Sequence, residues 1–151
     1  MLEVERVLKS KDIDYRLIEL SDRALTVQDV MRFSKGDIAI DEICKTIIVK
    51  DETGSKYAFL LRGSDKIDFS KANRLIGKKL SIARSSEVKE ATGVEPGAIC
   101  PIVLKVPLYV DERVIKLNRI NFGSGNHLYG IEMCTKDFLR LVPYEIGDIA
   151  A

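Results

Sequence analysis

The hydrophobic positions of the chain change their spacing repeatedly, which predicts many short elements. Apolar residues three and four apart predict helices at 2–8, 26–36, 68–76, 85–93, 112–115 and 135–142. Alternating or continuous apolar runs predict strands at 15–20, 43–50, 57–62, 80–83, 108–110, 117–122 and 128–133. In the second helix we expect the buried face to consist of Val27, Val30, Met31 and Phe33.

The clearest pair of strands flanks the turn Asp51–Gly54 and predicts an antiparallel hairpin of residues 43–50 and 57–62. Many short strands with short helices between them are typical of an α+β fold. We expect one domain, residues 1–151, with a single mixed and strongly curved sheet flanked by short helices.

One lysine falls within the apolar pattern of the first hairpin strand. Alternation places Lys45 on the same face as Ile43, Ile47 and Val49. One interpretation is that the ammonium group reaches solvent along its aliphatic stem. The other is that the ammonium group of Lys45 is a cation held at the floor or rim of a pocket.

The stretch 92–104 concentrates turn residues immediately before an apolar run. Pro96 and Gly97 suit the two central positions of a type II turn, since glycine accepts the positive φ at the second. Pro101 removes a donor from what would otherwise be a strand. The segment is therefore either a turn leading into a kinked edge strand or a rigid backbone cradle for a small polar group.

A second glycine-rich loop, residues 123–127, carries the only histidine, His127. Such a loop is more often a tight connection than an active site. Asp111, at the start of a short helix, is better explained as an N-cap than as a catalytic acid.

Composition narrows the function classes. The chain has 151 residues, 46% hydrophobic and 31% charged, with a formal net charge of +1, which excludes a disordered class. Near-neutral charge is poorly suited to a broad phosphate interface but allows contact with one end of a nucleic acid. Three widely spaced cysteines, Cys44, Cys100 and Cys134, argue against a disulfide framework and a zinc site. No apolar run reaches the ~20 residues of a membrane span and the start is not a signal peptide, so we expect a cytoplasmic protein. We also expect no metal and no cofactor.

Several segments in a fixed order resemble one known family. They are CKTIIVKD at 44–51, ARSSEVKEATG at 83–93, GAICP at 97–101, VPLYVDE at 106–112, FGSG at 122–125 and DFLRL at 137–141. Together they resemble the YbaK/ProX family of aminoacyl-tRNA deacylases, which is related to the editing domain of bacterial prolyl-tRNA synthetases. The resemblance extends from about Leu2 to Val142, and its most specific parts are the strand lysine, Lys45, and the Gly-x-x-x-Pro signature, Gly97 and Pro101.

The resemblance implies a barrel-like sheet and a trans-editing activity, in which the ester joining a wrong amino acid to the terminal ribose of tRNA is hydrolysed. It implies catalytic roles for Lys45 and Gly97. It implies a substrate-binding set of Thr46, Ala98, Ile99, Cys100, Pro101, Gly123, Ser124, Gly125 and His127. The partner would be the acceptor end of a misacylated tRNA, with an aminoacyl-tRNA synthetase as a further candidate, and the protein would be a monomer or weak homodimer. Where the YbaK branch has Ser-Ala-Gly and basic residues, this chain has Gly-Ser-Gly-Asn-His, so the amino acid removed stays open.

Ester hydrolysis requires donors aimed at the developing oxyanion and needs no protein nucleophile. The backbone N–H groups of Gly97 to Cys100 are the candidate donors, and Lys45 is the candidate for binding phosphate or ribose. Two alternatives remain: a binding module that has kept the pocket without the chemistry, and a cysteine hydrolase using Cys100 and His127.

Overall fold

A computed structural model describes all residues, Met1–Ala151, as an α+β fold of six helices and two sheets. In chain order the elements are α1 (Glu3–Ser10), β1 (Tyr15–Glu19), α2 (Val27–Phe33), a 3₁₀ turn (Ile40–Glu42), β2 (Cys44–Lys50), β3 (Lys56–Arg62), α3 (Phe69–Ile76), β4 (Ser81–Ile82), α4 (Ser85–Thr92), β5 (Leu108–Asp111), α5 (Glu112–Ile115), β6 (Arg119–Gly123), β7 (Tyr129–Cys134), α6 (Thr135–Leu141) and β8 (Glu145–Gly147). The predicted elements are confirmed, apart from small shifts of their ends.

Two helix starts show how local sequence fixes these elements. Thr26 accepts a hydrogen bond from the Asp29 N–H at 3.1 Å, and Asp68 accepts one from the Lys71 N–H at 3.2 Å. Each side chain thus pairs a backbone donor that the helix leaves unsatisfied. α3 ends at Gly77, whose φ of 78° is the left-handed conformation that favours glycine.

The expectation of one strongly curved, barrel-like sheet is wrong. The strands form an antiparallel sheet of order β1-β7-β6 and a mixed sheet of order β4-β2-β3-β5-β8. A single parallel bridge, Ile43 to Asn121, connects β2 with β6. Beyond it, the end of β6 packs on the backbone of residues 98–99 instead of β2, so the ladder does not continue and no barrel closes.

The main core contains side chains of both sheets and of helices α1, α4 and α6. From β2 it takes Cys44 and Ile48, and from β6 it takes Ile120 and Phe122. The opposite face of the five-stranded sheet packs Val49, Phe59 and Leu61 under α3. Since both faces of β2 are buried, its register is strongly specified, and that register positions Lys45 and Thr46.

Asp111 fixes the C-terminal segment to the sheet. Its side chain is fully buried, and Oδ1 accepts hydrogen bonds from the N–H groups of Ile149 at 2.8 Å and Ala150 at 3.0 Å. Oδ2 accepts from the Arg113 N–H at 3.1 Å, and the Arg113 guanidinium lies 3.2 Å from Oδ1. The predicted N-cap role of Asp111 is confirmed, and the tail contact is an addition that the sequence did not indicate.

Candidate functional site

A cavity of about 480 Å³ occupies the gap where β2 and β6 diverge. Its walls come from both strands, from the segment 20–30 that includes the start of α2, and from the loop around Gly97. The volume falls within the range of small-molecule sites, about 300–1,000 Å³. The cavity therefore lies at the place where the predicted single sheet is interrupted.

The apolar face of α2 borders this cavity instead of entering the core. No residue of α2 is fully buried, and Met31 is exposed, which corrects the expected buried face. Val27 and Val30 line the cavity, whereas Val30 and Phe33 also pack on the small cluster of Ile18, Leu20 and Ala24. The periodicity of α2 was predicted correctly, but the surface that it faces was not.

Lys45 lies at one side of the cavity, half-buried, and its Nζ donates to the Gly63 carbonyl oxygen at 3.2 Å. Burial lowers the pKa of Lys45 below its ordinary value, against the influence of the Asp65 carboxylate and with a smaller contribution from Lys66. One backbone carbonyl does not neutralise an ammonium group, so the cation retains capacity for an anionic or carbonyl oxygen.

The Gly97 turn has a geometry that requires glycine. Its φ is 95°, and a Cβ placed on it would stand 2.6 Å from the Leu25 carbonyl oxygen. The Ala98 N–H donates to the Glu95 carbonyl at 3.3 Å, whereas the N–H groups of Gly97, Ile99 and Cys100 donate to no acceptor in the protein. The turn thus offers backbone donors, two of them on residues that line the cavity, Gly97 and Ile99.

Cys100 lies away from the main cavity. Its side chain is buried beside a second, smaller cavity of about 170 Å³, and burial raises the pKa of its thiol to about 12. A thiol with so high a pKa is almost entirely protonated near neutral pH and is a poor nucleophile. This geometry weighs against the Cys100 and His127 dyad.

The second glycine-rich loop packs directly on the first. A Cβ on Gly123 would stand 2.6 Å from the Ile99 carbonyl oxygen, and the Gly125 N–H donates to the Ala98 carbonyl at 2.7 Å. Ser124 is buried, and its hydroxyl donates to the Tyr129 carbonyl at 2.7 Å. The two loops form one unit in which Ser124 is engaged within its own loop.

His127 has one ring nitrogen bound and one unpartnered. Nδ1 lies 2.9 Å from the Ala24 carbonyl oxygen, which only accepts, so Nδ1 carries a proton. Nε2 is buried without a hydrogen-bond partner, 3.7 Å from a Glu95 carboxylate oxygen, and the residue lines the cavity. In the neutral ring Nε2 is therefore an acceptor available to a ligand.

Two further cavity residues carry buried, unpartnered polar atoms, the Thr46 hydroxyl and the Asn121 side-chain nitrogen. Of these two residues, Asn121 was not predicted from the sequence. A signal was available, because Asn121 stands between the apolar residues Ile120 and Phe122 of a strand, where an amide is costly without a partner.

Six of the predicted site residues line the main cavity: Lys45, Thr46, Gly97, Ile99, Gly123 and His127. The remaining five do not line it. Ala98, Cys100, Ser124 and Gly125 lie behind that wall, where the two loops contact each other, and Pro101, which follows Cys100, is also buried. No group of three or more acidic, histidine or cysteine side chains could hold a metal ion. None of the helices has the length and apolar character needed to cross a membrane.

Solved structures with the same fold exist. A hypothetical protein is 25% identical, with a TM-score of 0.86 over 98% of this chain and 99% of its own. A candidate trans-editing enzyme for prolyl-tRNA synthetase is 24% identical, with a TM-score of 0.83 over 98% of this chain and 94% of its own. A candidate signal transduction protein from Marinobacter aquaeolei VT8 is 19% identical, with a TM-score of 0.71, and this chain covers 30% of it.

The family assignment rests on sequence. The model of the aminoacyl-tRNA editing domain matches residues 22–141, which include β2, the Gly97 turn and the loop 123–127. The matched region is most of the chain, and it confirms the resemblance inferred from the segments around Lys45 and Gly97. The chain therefore belongs to the family of aminoacyl-tRNA editing domains.

Proposed function

We propose that this protein hydrolyses the ester bond between an amino acid and the terminal ribose of a misacylated tRNA, without a protein nucleophile. The observation that supports this most strongly is that Lys45 lines the same cavity as Gly97 and Ile99, two residues of the turn whose N–H groups are unpaired. Water adds to the ester carbonyl, the tRNA leaves with its hydroxyl restored, and the free amino acid is released.

In this proposal the Gly97 turn stabilises the oxyanion that develops on the ester carbonyl. Preorganised backbone donors of this kind contribute about 10²–10³ in rate. Lys45 contributes positive potential and binds a phosphate or ribose oxygen of the terminal nucleotide. Thr46, Ile99, Gly123 and His127 form the remaining walls around the aminoacyl group.

The five predicted residues that do not line the cavity act through position. The contact between Gly125 and Ala98 holds the two loops together, and Ser124 fixes the path of its loop. We propose that Cys100 and Pro101 support the backbone of the turn, and that residues 1–151 act as one editing domain. The tRNA partner contacts the protein through its acceptor end, which suits the small net charge.

The test is single-turnover deacylation of a panel of tRNAs, each of which carries one amino acid. The panel starts with the proline tRNA because of the similarity to a candidate trans-editing enzyme for prolyl-tRNA synthetase. We expect at least one misacylated tRNA to lose its amino acid much faster with the protein than in buffer. Binding of aminoacyl-tRNA with no acceleration for any amino acid would favour the alternative, a non-catalytic binding module.

A further inference from the structure

Asn121 is the most deeply buried of the unpartnered polar groups in the cavity. The residue is 3% exposed, and its Nδ2 has no hydrogen-bond partner. An amide in such a position ordinarily costs stability, about 1–3 kcal/mol by the behaviour of buried polar groups. Because the side chain borders a cavity, a ligand group can supply the missing partner.

The surroundings of Asn121 leave its amide uncovered by other side chains. Two glycines, Gly123 and Gly130, lie beside it on β6 and β7, where they pair with each other. A Cβ on Gly130 would stand 3.3 Å from Asn121 Oδ1, so the glycine leaves the amide uncovered. Ile43, the residue before β2, lies opposite Asn121 and is apolar.

The aminoacyl end of tRNA offers few groups that fit. Its α-ammonium group only donates, and the unpartnered Nε2 of His127, 3.7 Å from Glu95, accepts and suits it. The ester carbonyl belongs with the N–H groups of the Gly97 turn. A side-chain hydroxyl both donates and accepts, so it pairs with the amide of Asn121 in either orientation of that amide.

We propose that Asn121 forms a subsite for the side-chain hydroxyl of the amino acid, so that seryl esters are preferred over alanyl esters. The inference rests on the proposed function, since it assigns the amino acid that occupies the same cavity. Serine satisfies the buried amide, whereas alanine leaves it unpaired, and a site built around a hydrogen bond discriminates strongly against the analogue that lacks it.

The test compares seryl and alanyl esters on one acceptor-stem RNA under single-turnover conditions. We expect the wild type to hydrolyse the seryl ester at least ~10-fold faster. Asn121→Leu should lower the seryl rate by about tenfold or more while leaving the alanyl rate within about twofold, so that the preference disappears. Asn121→Ala is a second variant in case leucine does not fit. Asn118→Leu is the matched control, because Asn118 is exposed, precedes the same strand and makes no side-chain hydrogen bond. This variant should prefer the seryl ester over the alanyl ester to the same extent as the wild type.

A second measurement separates this inference from the proposed function. Seryl and alanyl amides of 3′-amino-3′-deoxyadenosine cannot undergo ester hydrolysis, and we expect the seryl amide to bind about tenfold tighter to the wild type and equally to Asn121→Leu. Hydrolysis of neither ester, together with the seryl preference in binding, would remove the proposed function and keep the subsite. An alanyl preference in the wild type, or a seryl preference that survives in both Asn121 variants, would overturn the subsite.

Discussion

Two regions of this protein bury polar groups and differ in how completely those groups are paired. Around Asp111, both carboxylate oxygens accept hydrogen bonds from backbone N–H groups, and Arg113 supplies a counter-charge. Around the cavity, Thr46, Asn121 and His127 each bury a polar atom that has no partner. The five-stranded sheet contributes to both regions, through β5 at Asp111 and through β2 at the cavity.

The difference separates structure from function. A fully paired buried carboxylate holds elements together, here β5, α5 and the C-terminal segment. Unpaired polar atoms cost stability, and several that border one cavity are explained by a ligand that pairs them. The complete pairing of Asp111 is thus what we expect of a structural site, and the unpaired groups around the cavity are what we expect of a binding site.

The largest expected effect on stability comes from Asp111→Ala. The substitution leaves the N–H groups of Ile149 and Ala150 buried and unpaired. It also removes the carboxylate that pairs with Arg113, so we expect a loss of about 3–5 kcal/mol in the free energy of unfolding. Urea denaturation measures it.

Thr46→Val, in the cavity, is the variant to compare with Asp111→Ala. Valine has nearly the shape of threonine, and the lost hydroxyl has no partner, so the free energy of unfolding should change by no more than about 0.5 kcal/mol or rise. A loss as large as that of Asp111→Ala would contradict the distinction between the two regions.

The largest expected effect on activity comes from Gly97→Ala. A Cβ there would meet the Leu25 backbone and strain a φ of 95°, moving the donors of the turn, so we expect single-turnover deacylation to fall about 10²–10³-fold. Gly93→Ala is the matched control, because its φ is 79° but nothing lies within 4 Å of its Cβ position. It should cost about 1 kcal/mol in stability and leave deacylation within about twofold.

Lys45→Ala should fold and lose about 10²-fold in deacylation, since the wall keeps its apolar packing but loses a cation. Lys50→Ala removes a lysine from the same strand whose Nζ pairs with Glu87 at 2.9 Å, outside the cavity, and should retain activity. Lys45→Arg should also be impaired, because the guanidinium is larger and planar. A fully active Lys45→Ala protein that is folded by circular dichroism would remove Lys45 from the proposed chemistry.

The smallest effect is expected for Cys100→Ser. The thiol is buried, its pKa is raised to about 12, and it does not line the main cavity, so activity should stay within about tenfold of the wild type. Treatment of the wild type with iodoacetamide near neutral pH should likewise leave deacylation unchanged. Stoichiometric inactivation by alkylation at Cys100 would contradict a mechanism based on backbone donors.

The sequence predicted the elements well because their signals are local. The hairpin of β2 and β3, the Thr26 and Asp68 caps and the positive φ of Gly97 all follow from short-range patterns. The division into two sheets depends on how β6 packs against residues 98–99, which are distant in sequence, so no local pattern reveals it.

The candidate site was predicted only in part, because some of its features show in the local sequence and others depend on the fold. Lys45 and Gly97 stand out because each breaks its local pattern, and both line the cavity. Ser124 and Cys100 carry reactive groups in loops that were identified correctly, yet the fold turns both side chains away from the main cavity. Asn121 was missed although its position between two apolar residues was visible in the sequence, because its lack of a partner becomes evident only in the fold.

The most direct test of the central claim is rapid acid quench of a single turnover on seryl-tRNA, followed by intact mass measurement of the protein at each time point. The account predicts that the ester disappears within the first turnover, that free serine appears at the same rate, and that the mass of the protein never changes. An ester that stays intact, or a protein adduct of one seryl group that forms before serine is released, would contradict it.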